Sequence, residues 1–390
     1  MNVPKLRFKE FNDEWCYQSL SKYVNRITTK NKNNESDLVL TISAQYGLVD
    51  QTFFFNRSVS SSNLTGYYLL NNGDFAYNKS YSNGYPWGAI KRLNKYNQGV
   101  VSSLYICFKT NNLIDSNFLE QYFETNKWYQ QISEVSVEGA RNHGLLNIAV
   151  NDFFNTKHYI PSIKEQEKIS KFLLLLDKKI ELQTKKIEDL KLFKLYLQNK
   201  LYNANDTKDV LIKDLGEIVT GTTPSKSENK YWDNGNILWV TPTDICENRD
   251  INDCSCKLTE SGLAKGRFIP KNSILVTCIA SIGKNAIIKE DGSCNQQINA
   301  IIPSKDYNYN YIYYTIENLS NYMKSIASTS ATAIINKEQF GNISIKIHKR
   351  EVQDKISKIL NAFETKIIQE GFKYKKLQNL KKGLMQNMFV

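Results

Sequence analysis

The sequence predicts an α+β fold: two tandem globular domains of similar architecture, each followed by a long helix, with the two helices paired as an antiparallel coiled coil about a pseudo-two-fold axis. A duplicated segment, a heptad pattern in each copy and the absence of proline from both patterns predict this arrangement. The predicted boundaries are 1–161 for the first domain, 162–202 for its helix, 203–347 for the second domain and 348–390 for the second helix.

The duplication is visible as short matching motifs. The tetrapeptide K-I-S-K at Lys168–Lys171 recurs 187 residues later at Lys355–Lys358, and the upstream motif F-x-N at Phe153 recurs at Phe340. A period of this length is far too long for a solenoid, in which each repeat is a single supersecondary unit. It indicates two large half-molecules, each a globular domain that leads into a helix.

The helix prediction rests on apolar residues that alternate in steps of four and three, which is the pattern of a coiled-coil seam. In the first copy the seam consists of Ile169, Leu173, Leu176, Ile180, Gln183, Ile187, Leu190, Lys194, Leu197 and Leu201. In the second copy it consists of Ile356, Leu360, Phe363, Ile367, Glu370, Tyr374, Leu377, Lys381, Leu384 and Met388. Each helix would be roughly 60 Å long and would leave a long apolar stripe exposed if unpaired. A pair of ordinary domain helices is the alternative.

Polar residues at matching positions of the two seams bear on how the helices align. A parallel pair would bury like charges against each other, which is costly, so we expect an antiparallel pair with the domains at opposite ends. One register sets Lys194 opposite Glu370 and Gln183 opposite Lys381, and buried polar pairs are known to fix register. A competing register, shifted by about two turns, overlaps the helices end to end and buries more of the seam.

Hydrophobic runs predict the secondary structure within the domains. Gly47–Phe55 and Val100–Phe108 are predicted as strands, and Phe118–Tyr129 and Tyr307–Met323 as helices. The segment Gly221–Lys226 is predicted as a turn, because it combines glycine, proline and small hydroxyl residues.

Charge and cysteine content narrow the function classes. Ten of the twelve excess positive charges lie in residues 164–200 and 349–390, which fits either a solvated lysine-rich face or a rod that lies near a polyanion. The seven cysteines are unevenly spaced and no apolar signal segment opens the chain, so we interpret them as reduced thiols of a cytoplasmic protein. The longest strongly apolar run, Phe172–Leu176, is far too short to span a membrane.

The sequence carries few signs of catalysis. It has three histidines, which is sparse for acid–base chemistry, and it lacks the glycine-rich motifs that bind nucleotides. Asp354, Glu364 and Lys366 mimic a nuclease carboxylate–lysine pattern, but they fall on the second predicted helix as surface charge. Cys254 and Cys256 have a spacing that fits no zinc motif. We therefore expect no catalytic residue, metal site or bound cofactor in this chain.

Polar and basic residues in the predicted loops are candidates for contact with nucleic acid. Lysine and arginine suit phosphates and guanine, whereas asparagine and glutamine suit adenine edges; the alternative is that these residues only form turns. In the first domain the candidates are Asn78, Lys79, Ser80, Ser82, Lys91, Arg92, Arg141 and His143. In the second domain they are Thr223, Lys226, Lys284, Asn285, Gln296, Gln297, Ser328 and Thr329.

A second apolar stripe lies outside the seams of the predicted helices. A two-helix rod with such a stripe is expected to accept partner helices and to form a four-helix bundle. The candidate partner-binding residues are Phe172, Leu175, Leu182, Phe193, Tyr196, Ile359 and Leu380.

Taken together, these features resemble the specificity subunits of type I restriction–modification systems. The resemblance covers the whole chain and rests on V-P-K-L-R-F from Val3, G-T-T-P-S-K from Gly221, I-L-W-V-T-P-T-D from Ile237, N-Q-Q-I-N-A-I-I-P-S from Asn295 and the duplicated F-x-N motif before each helix. His348 departs from the pattern, since such proteins usually have a proline before the helix, as this chain has at Pro161.

The resemblance implies a non-catalytic protein whose two domains are target-recognition domains. Each domain would read one half of a bipartite site in double-stranded DNA, and the paired helices would fix the gap between the halves. Two methyltransferase (modification) subunits would dock on the helices and methylate adenine with S-adenosylmethionine. Motor–nuclease (restriction) subunits, which bind ATP and Mg²⁺, would join them and cut unmodified DNA.

Three other interpretations stay open from the residues alone. A free-standing sequence-specific DNA-binding regulator would bind its site tightly without partners. A self-contained nuclease or methylase would need a catalytic motif that we do not find. A structural coiled-coil adaptor is compatible with the near-neutral charge of the two domains.

Overall fold

A computed structural model of the chain describes residues 2–55, 63–81, 84–136, 146–202, 206–245, 249–327 and 333–390. The chain forms two compact units: Met1–Lys185 with Phe372–Val390, and Lys186–Gly371. Both long helices are divided between the units. Each unit therefore combines one globular domain with a segment of each helix.

The first unit is built from short strands around an antiparallel sheet. Its described strands are β1 (Cys16–Ser19), β2 (Val24–Arg26), β3 (Leu40–Ser43), β4 (Gly47–Asp50), β5 (Tyr68–Asn71), β6 (Phe75–Asn78), β7 (Ala89–Arg92), β8 (Gln98–Val101), β9 (Ile106–Thr110) and β10 (Lys157–Ile160). Its described helices are α1 (Gln51–Phe55), α2 (Ser116–Phe123), α3 (Tyr129–Val135), α4 (Val150–Asn155) and the first part of α5 (Ile163–Tyr202), with a 3-10 turn at Leu20–Lys22. The main sheet has the order β2-β9-β6-β7, and β1 pairs with β10, β3 with β4 and β5 with β8.

The second unit contains a five-stranded sheet and a three-stranded sheet. Its described strands are β11 (Thr207–Leu211), β12 (Gly216–Thr220), β13 (Ile237–Val240), β14 (Asp250–Ile251), β15 (Lys257–Leu258), β16 (Ile274–Thr277), β17 (Asn285–Ile288), β18 (Gly292–Cys294), β19 (Ile298–Pro303) and β20 (Ser344–His348). Its described helices are α6 (Glu260–Leu263), α7 (Tyr309–Asn318), α8 (Ser320–Ala327), α9 (Lys337–Gly341) and the first part of α10 (Arg350–Met388), with 3-10 turns at Ile212–Leu215 and Asn229–Tyr231. The sheet orders are β12-β19-β16-β17-β14 and β15-β13-β18, and β11 pairs with β20.

The core of the first unit is rich in aromatic rings. Phe75 and Phe108 stack with their centroids 5.2 Å apart, and Phe153 lies 5.8 Å from Phe108. Phe389, which follows α10, packs 5.4 Å from Phe118 and is only 1% exposed. The segment Phe372–Val390 therefore completes the core of the first domain, although it follows the whole second domain along the chain.

The two units share one architecture at the point where each domain meets its helix. In each, an early strand pairs antiparallel with the strand that precedes the long helix: β1 with β10, and β11 with β20. In the first unit a buried glutamine fastens this joint. Gln166 Nε2 donates to the Pro161 carbonyl (2.9 Å), and its Oε1 accepts from the N–H of Asp115 (2.7 Å), the residue that caps α2.

The second unit repeats the glutamine joint with its own residues. Gln353 Nε2 donates to the His348 carbonyl (2.8 Å), and its Oε1 accepts from the N–H of Asn308 (2.9 Å), which caps α7. Both glutamines are 1% exposed. An unpaired polar group is costly to bury, so each buried amide needs the hydrogen bonds that it makes here. The predicted similar architecture of the two domains is confirmed.

The predicted seams are confirmed by burial. All ten positions of each seam are buried or half-buried, whereas most positions between them are exposed. In the first unit the helix segments run antiparallel, because Lys381 of α10 bonds Asp177 of α5 while the later Met385 joins the earlier Leu173 in one hydrophobic cluster.

The second unit shows the same antiparallel direction. Lys186 Nζ lies 3.2 Å from Glu370. Lys194 comes later than Lys186 in α5, but its partner Glu364, at 2.8 Å, comes earlier than Glu370 in α10. Glu370 is fully buried, and a second lysine on its own helix, Lys366, also lies 3.2 Å away. The two lysines neutralise a carboxylate that would otherwise be costly to bury.

The register that matches polar seam residues is wrong. Lys194 faces Glu364 rather than Glu370, and Lys381 faces Asp177. Both contacts fit the competing register, which overlaps the helices end to end. The physical reason is that this register buries more apolar seam, while a lysine is long enough to carry its charge to a carboxylate at the edge of the seam.

We expect a double-mutant cycle to report this register. Lys194→Met and Glu364→Gln should show a coupling energy of about 1–2 kcal/mol in chemical denaturation, because the two groups are in direct contact and largely shielded from water. Lys194→Met and Glu370→Gln should couple by less than about 0.5 kcal/mol. A larger coupling energy for Lys194 with Glu370 than for Lys194 with Glu364 would instead support the register that sets Lys194 opposite Glu370.

Two predicted strands end earlier than the hydrophobic pattern indicates. Val100–Phe108 is two strands, β8 and β9, because Ser102 forms a turn in which its Oγ accepts from the N–H of Leu104 (3.3 Å). Gly47–Phe55 is a strand only as far as Asp50, whose carboxylate accepts from the N–H of Thr52 (2.8 Å) and so starts α1. Side-chain bonds to the backbone compete with the strand ladder at such residues.

The predicted domain helices are also interrupted. Phe118–Tyr129 is two helices, α2 and α3, separated where the Thr125 hydroxyl donates to the Tyr122 carbonyl (2.6 Å). Tyr307–Met323 is likewise two helices, α7 and α8. The break between α7 and α8 is the single apolar residue Leu319, so periodicity alone does not mark it. The break between α2 and α3 coincides with the polar run Glu124–Lys127.

His158 has a structural position, as its place in a predicted strand indicated. Its Nδ1 is 2.8 Å from the Tyr122 hydroxyl and its Nε2 is 2.8 Å from the Thr156 hydroxyl. Burial lowers the pKa of His158 to about 3. The neutral ring is therefore part of the core.

We expect the first unit to lose stability on mild acidification because of His158. An unfolded histidine has a pKa near 6.5, so between about pH 6.5 and pH 3 the unfolded chain binds a proton that the folded chain does not. His158→Gln should therefore flatten the fall in unfolding midpoint between pH 7 and pH 5. An unchanged pH slope in the variant would contradict the assignment.

Candidate nucleic-acid interface

The first unit presents a loop surface between β6 and β7. Asn78 Oδ1 accepts from the Ser80 N–H (3.1 Å), which holds the start of the connection. Lys79 is half-buried and its Nζ lies 3.3 Å from the Ile148 carbonyl. Gly88 closes the connection at φ +76°, where a Cβ would lie 2.2 Å from the Asn78 carbonyl oxygen. Only glycine fits this close approach, so the two ends of the loop are held together.

Lys91 and Arg92 are placed inside the domain. Lys91 is 8% exposed and its Nζ lies 2.5 Å from Glu124. Arg92 lies 2.7 Å from Glu120 and also donates to Asn117 (2.9 Å). These ion pairs tie β7 to the α2 segment and neutralise both cations. Both cations, which were predicted to contact DNA, are thus paired with carboxylates of their own domain.

The second unit presents a rigid turn at Gly221–Lys226. Two indole N–H groups donate into it: Trp239 to the Thr222 carbonyl and Trp232 to the Ser225 carbonyl, each at 3.0 Å. A Cβ at Gly221 would lie 2.2 Å from the Asn295 carbonyl oxygen. The turn is therefore fixed against the residues that precede β19.

This turn brings two predicted contact residues together. Thr223 and Gln296 are both exposed, and the Thr223 hydroxyl lies 2.5 Å from Gln296 Oε1. Lys226 and Lys284 are exposed as well. Among the predicted contact residues that the structure describes in the second domain, these four are exposed and therefore accessible to a ligand.

Two other predicted contact residues in the second domain are engaged internally. Asn285 Nδ2 donates to the Tyr313 carbonyl (2.8 Å), which joins β17 to α7. Gln297 is half-buried and its Oε1 accepts from Asn295 Nδ2 (3.1 Å). Ser82, Arg141, His143, Ser328 and Thr329 lie outside the described residues.

All seven predicted partner-binding residues are exposed on the helices. Their exposed fractions are Phe172 39%, Leu175 62%, Leu182 58%, Phe193 49%, Tyr196 57%, Ile359 42% and Leu380 52%. Exposed apolar residues in this density are typical of an interaction surface. We call this set the helix stripe.

The described part of the chain holds no group of three or more His, Cys, Asp or Glu residues placed to bind a metal ion. Its six described cysteines are free thiols. Among the described helices, none has the length and apolar character needed to cross a membrane.

Part of the chain is similar to known proteins. Residues 205–379 match the family described as "Type I restriction modification DNA specificity domain". The MjaIX specificity subunit of Methanocaldococcus jannaschii is 31% identical over 185 residues, which are 46% of this chain and 43% of that subunit. The EcoR124I/EcoR124II specificity subunit of Escherichia coli is 28% identical over 235 residues, 55% of this chain and 57% of that subunit.

This chain is therefore similar to the specificity subunits of type I restriction–modification systems over about half of its length. The matched segments cover about half the length of the curated relatives.

Two solved structures share the fold of specificity subunits with this chain along nearly its whole length. The S subunit of M. genitalium has a TM-score of 0.61 at 15% identity and covers 100% of this chain and 99% of that chain. A chain from a structural study of complex assembly and conformational transition of the type I R-M system has a TM-score of 0.62 at 15% identity, covering 98% and 99%. At this identity the likeness shows the fold alone.

Sequence reasoning missed several accessible residues of this chain. In the first domain they are Tyr46, Phe53 and Tyr81, with exposed fractions of 61%, 84% and 61%. On the helices they are Leu174, Leu192, Leu195, Ile368 and Phe372. The helix residues could have been predicted, because they are apolar and lie outside the seam positions of the heptad pattern. The aromatic residues had none, because only the fold brings the β3–β4 turn beside the β6–β7 connection.

Proposed function

We propose that this chain is the DNA sequence-specificity subunit of a type I restriction–modification complex. Each globular domain binds one half of a bipartite double-stranded DNA site, and the helices carry the methyltransferase and restriction subunits. The observation that carries the proposal is a duplicated joint with two different loop surfaces. The glutamine joint is the same in both units, whereas the accessible loop residues differ in kind.

The chain itself has a non-catalytic role in this proposal. Its described histidines are buried in the core, and polar loop residues suit base edges and phosphates rather than bond cleavage. S-adenosylmethionine, ATP and Mg²⁺ are bound by the partner subunits. The complex acts in the cytoplasm, where the DNA is.

The helix stripe favours an obligate assembly over a free-standing DNA-binding regulator. A protein that works alone rarely exposes so many large apolar side chains on one structural element. Two helix segments pair in each unit, and partner helices packed on the stripe would complete a four-helix bundle. We propose the methyltransferase subunits as the source of these helices.

Co-expression with the type I methyltransferase encoded nearest to its gene tests the proposal. Genome-wide mapping should then find methylated adenines in one bipartite motif, and deletion of this chain should remove them all. The proposal would be overturned if the mapping found no methylated bipartite motif, or if the methylation continued after deletion of this chain. Tight, specific DNA binding by the purified chain with no partner would favour the regulator instead.

We expect Gln296→Ala and Lys284→Ala to act on the second half-site alone. Removal of a base-reading amide costs about 1–3 kcal/mol and relaxes the preference at one base pair. Lys284→Ala should weaken the contact with the second half-site whatever the base sequence of that half-site, and it should reduce the salt dependence of binding. Binding to duplexes with either half-site scrambled measures both effects.

The matched control for these variants is Lys358→Ala, which removes an exposed lysine from α10. It should leave the preference at both half-sites unchanged. Equal loss of preference at both half-sites in Gln296→Ala would contradict the assignment of the second domain.

A further inference from the structure

A cavity of about 360 Å³ opens at the surface of the first domain. It lies between the turn that joins β3 to β4, the helix α1 and the connection that joins β6 to β7. Its aromatic lining is Tyr46, Phe54, Tyr81 and Tyr85, and two side-chain amides, Gln45 and Asn78, also line it.

Two of the aromatic side chains that line the cavity are largely exposed to solvent instead of being packed in the core. Tyr46 and Tyr81 are each 61% exposed. Tyr85 is half-buried, and Lys91 Nζ lies 5.5 Å from the centroid of its ring. Exposed tyrosines that surround a cavity offer flat apolar faces to a ligand and keep their hydroxyl groups in water.

The polar lining is held in place by the backbone. Asn78 Oδ1 accepts from the Ser80 N–H (3.1 Å), which fixes its amide at the end of β6. Tyr77 donates its hydroxyl hydrogen to the Trp87 carbonyl (2.8 Å), and this bond braces the far side of the connection. The cavity is therefore preformed, as most small-ligand sites are.

We propose that this cavity binds one nucleobase of the first half-site after the base has left the duplex stack. The tyrosine faces stack on the base, as aromatic side chains do in single-strand recognition. The Gln45 and Asn78 amides pair with its exposed edge, which carries both donors and acceptors. The inference rests on the proposed function and names a part of the DNA that the first domain takes up.

The chemistry of the lining favours a base over other ligands. A phosphate needs an available cation, but Lys91 and Arg92 are already paired with Glu124 and Glu120. An apolar side chain of a partner protein would cover the Gln45 amide and the Asn78 Nδ2 group without offering them a hydrogen bond, which is costly. A nucleobase satisfies both the flat apolar faces and the amides.

Fluorescent bases test the inference in the complex of the full chain with its methyltransferase. Duplexes would carry 2-aminopurine or pyrrolocytosine at one position of the first half-site at a time, since both brighten when they unstack. The methylated adenine serves as the positive control, because methyltransferases extrude their target base. We expect a second position in the first half-site to brighten.

The double variant Tyr46→Ala/Tyr81→Ala separates this cavity from the methyltransferase pocket. It should remove brightening at the second position, retain it at the methylated adenine and weaken binding about tenfold or more. Tyr322→Ala, which removes a 52% exposed tyrosine of the second unit, should change none of these.

Each outcome decides between the two proposals. No second bright position in a complex that binds and methylates the duplex would overturn the base-binding cavity and leave the proposed function standing. Brightening that persists in the double variant would also overturn it. A complex that neither binds nor methylates any duplex would overturn the proposed function, and the cavity's role with it.

Discussion

Replacing Phe193 and Leu380 together with aspartate is expected to abolish binding of the methyltransferase subunits. The two residues occupy the same position in the two copies of the helix, and they are 49% and 52% exposed. Each substitution removes an apolar anchor and places a charge where a partner helix would cover it. Loss of one such anchor costs about 2 kcal/mol or more, so the pair should weaken binding about a thousandfold. Co-purification and titration calorimetry measure the effect.

The control for this variant adds the same charge elsewhere on the same helices. Asn199→Asp with Asn379→Asp changes two exposed polar residues and should leave the complex intact. Because Phe193 lies 5.5 Å from Phe363 of the seam, the unfolding midpoint of both variants must be compared. A stable double variant that co-purifies with the methyltransferase as before would refute the role of the stripe.

Arg7→Ala is expected to cost the first unit about 3 kcal/mol of unfolding free energy. Arg7 makes two bonds to Glu165, at 2.7 and 2.8 Å, and Glu165 is only 1% exposed. Loss of the guanidinium leaves a buried carboxylate without its cation, and such losses cost about 3–5 kcal/mol. We place the effect at the low end because Arg7 itself is partly exposed. Chemical denaturation followed by circular dichroism gives the free energy.

The same pair of chain segments supplies a matched control. Lys168 bonds Glu10, and both side chains are about half exposed, so Lys168→Ala should cost less than about 1 kcal/mol. Glu165→Gln added to Arg7→Ala should recover part of the loss, because the buried group is then neutral. If Arg7→Ala and Lys168→Ala are equally mild, the buried pair does not hold the amino-terminal segment.

The helices could be predicted from the sequence because their signal is local. Every seam residue from Ile169 to Leu201 follows from spacing along one stretch of sequence, and burial confirms each position. Their alignment could not be predicted in the same way. It depends on the total apolar area that two helices bury together, and on carboxylates such as Glu317 of α7, which lies 3.3 Å from Lys194.

The sequence shows which residues have side chains suited to contact with DNA. It does not show which of those side chains stay exposed and free of ion pairs in the fold. From the sequence alone, Lys91 and Lys284 are equally good candidates for contact with DNA, since each is a lysine in or beside a predicted loop. The fold separates them, because Glu124 lies 33 residues from Lys91 along the chain and pairs with it, whereas Lys284 stays exposed. A distant partner that neutralises a charge leaves no trace in the local pattern.

The position of Phe389 in the core of the first unit bears on the order of synthesis. Domains usually fold in the order in which the ribosome makes them, amino-terminal first. Here the segment Phe372–Val390 belongs to the first unit, so the first domain reaches its final packing only after the second has been translated. Until then Phe118 and its neighbours lack a covering ring, and the nascent first domain carries an apolar surface that chaperones bind. The later domain is thus the first that can finish folding.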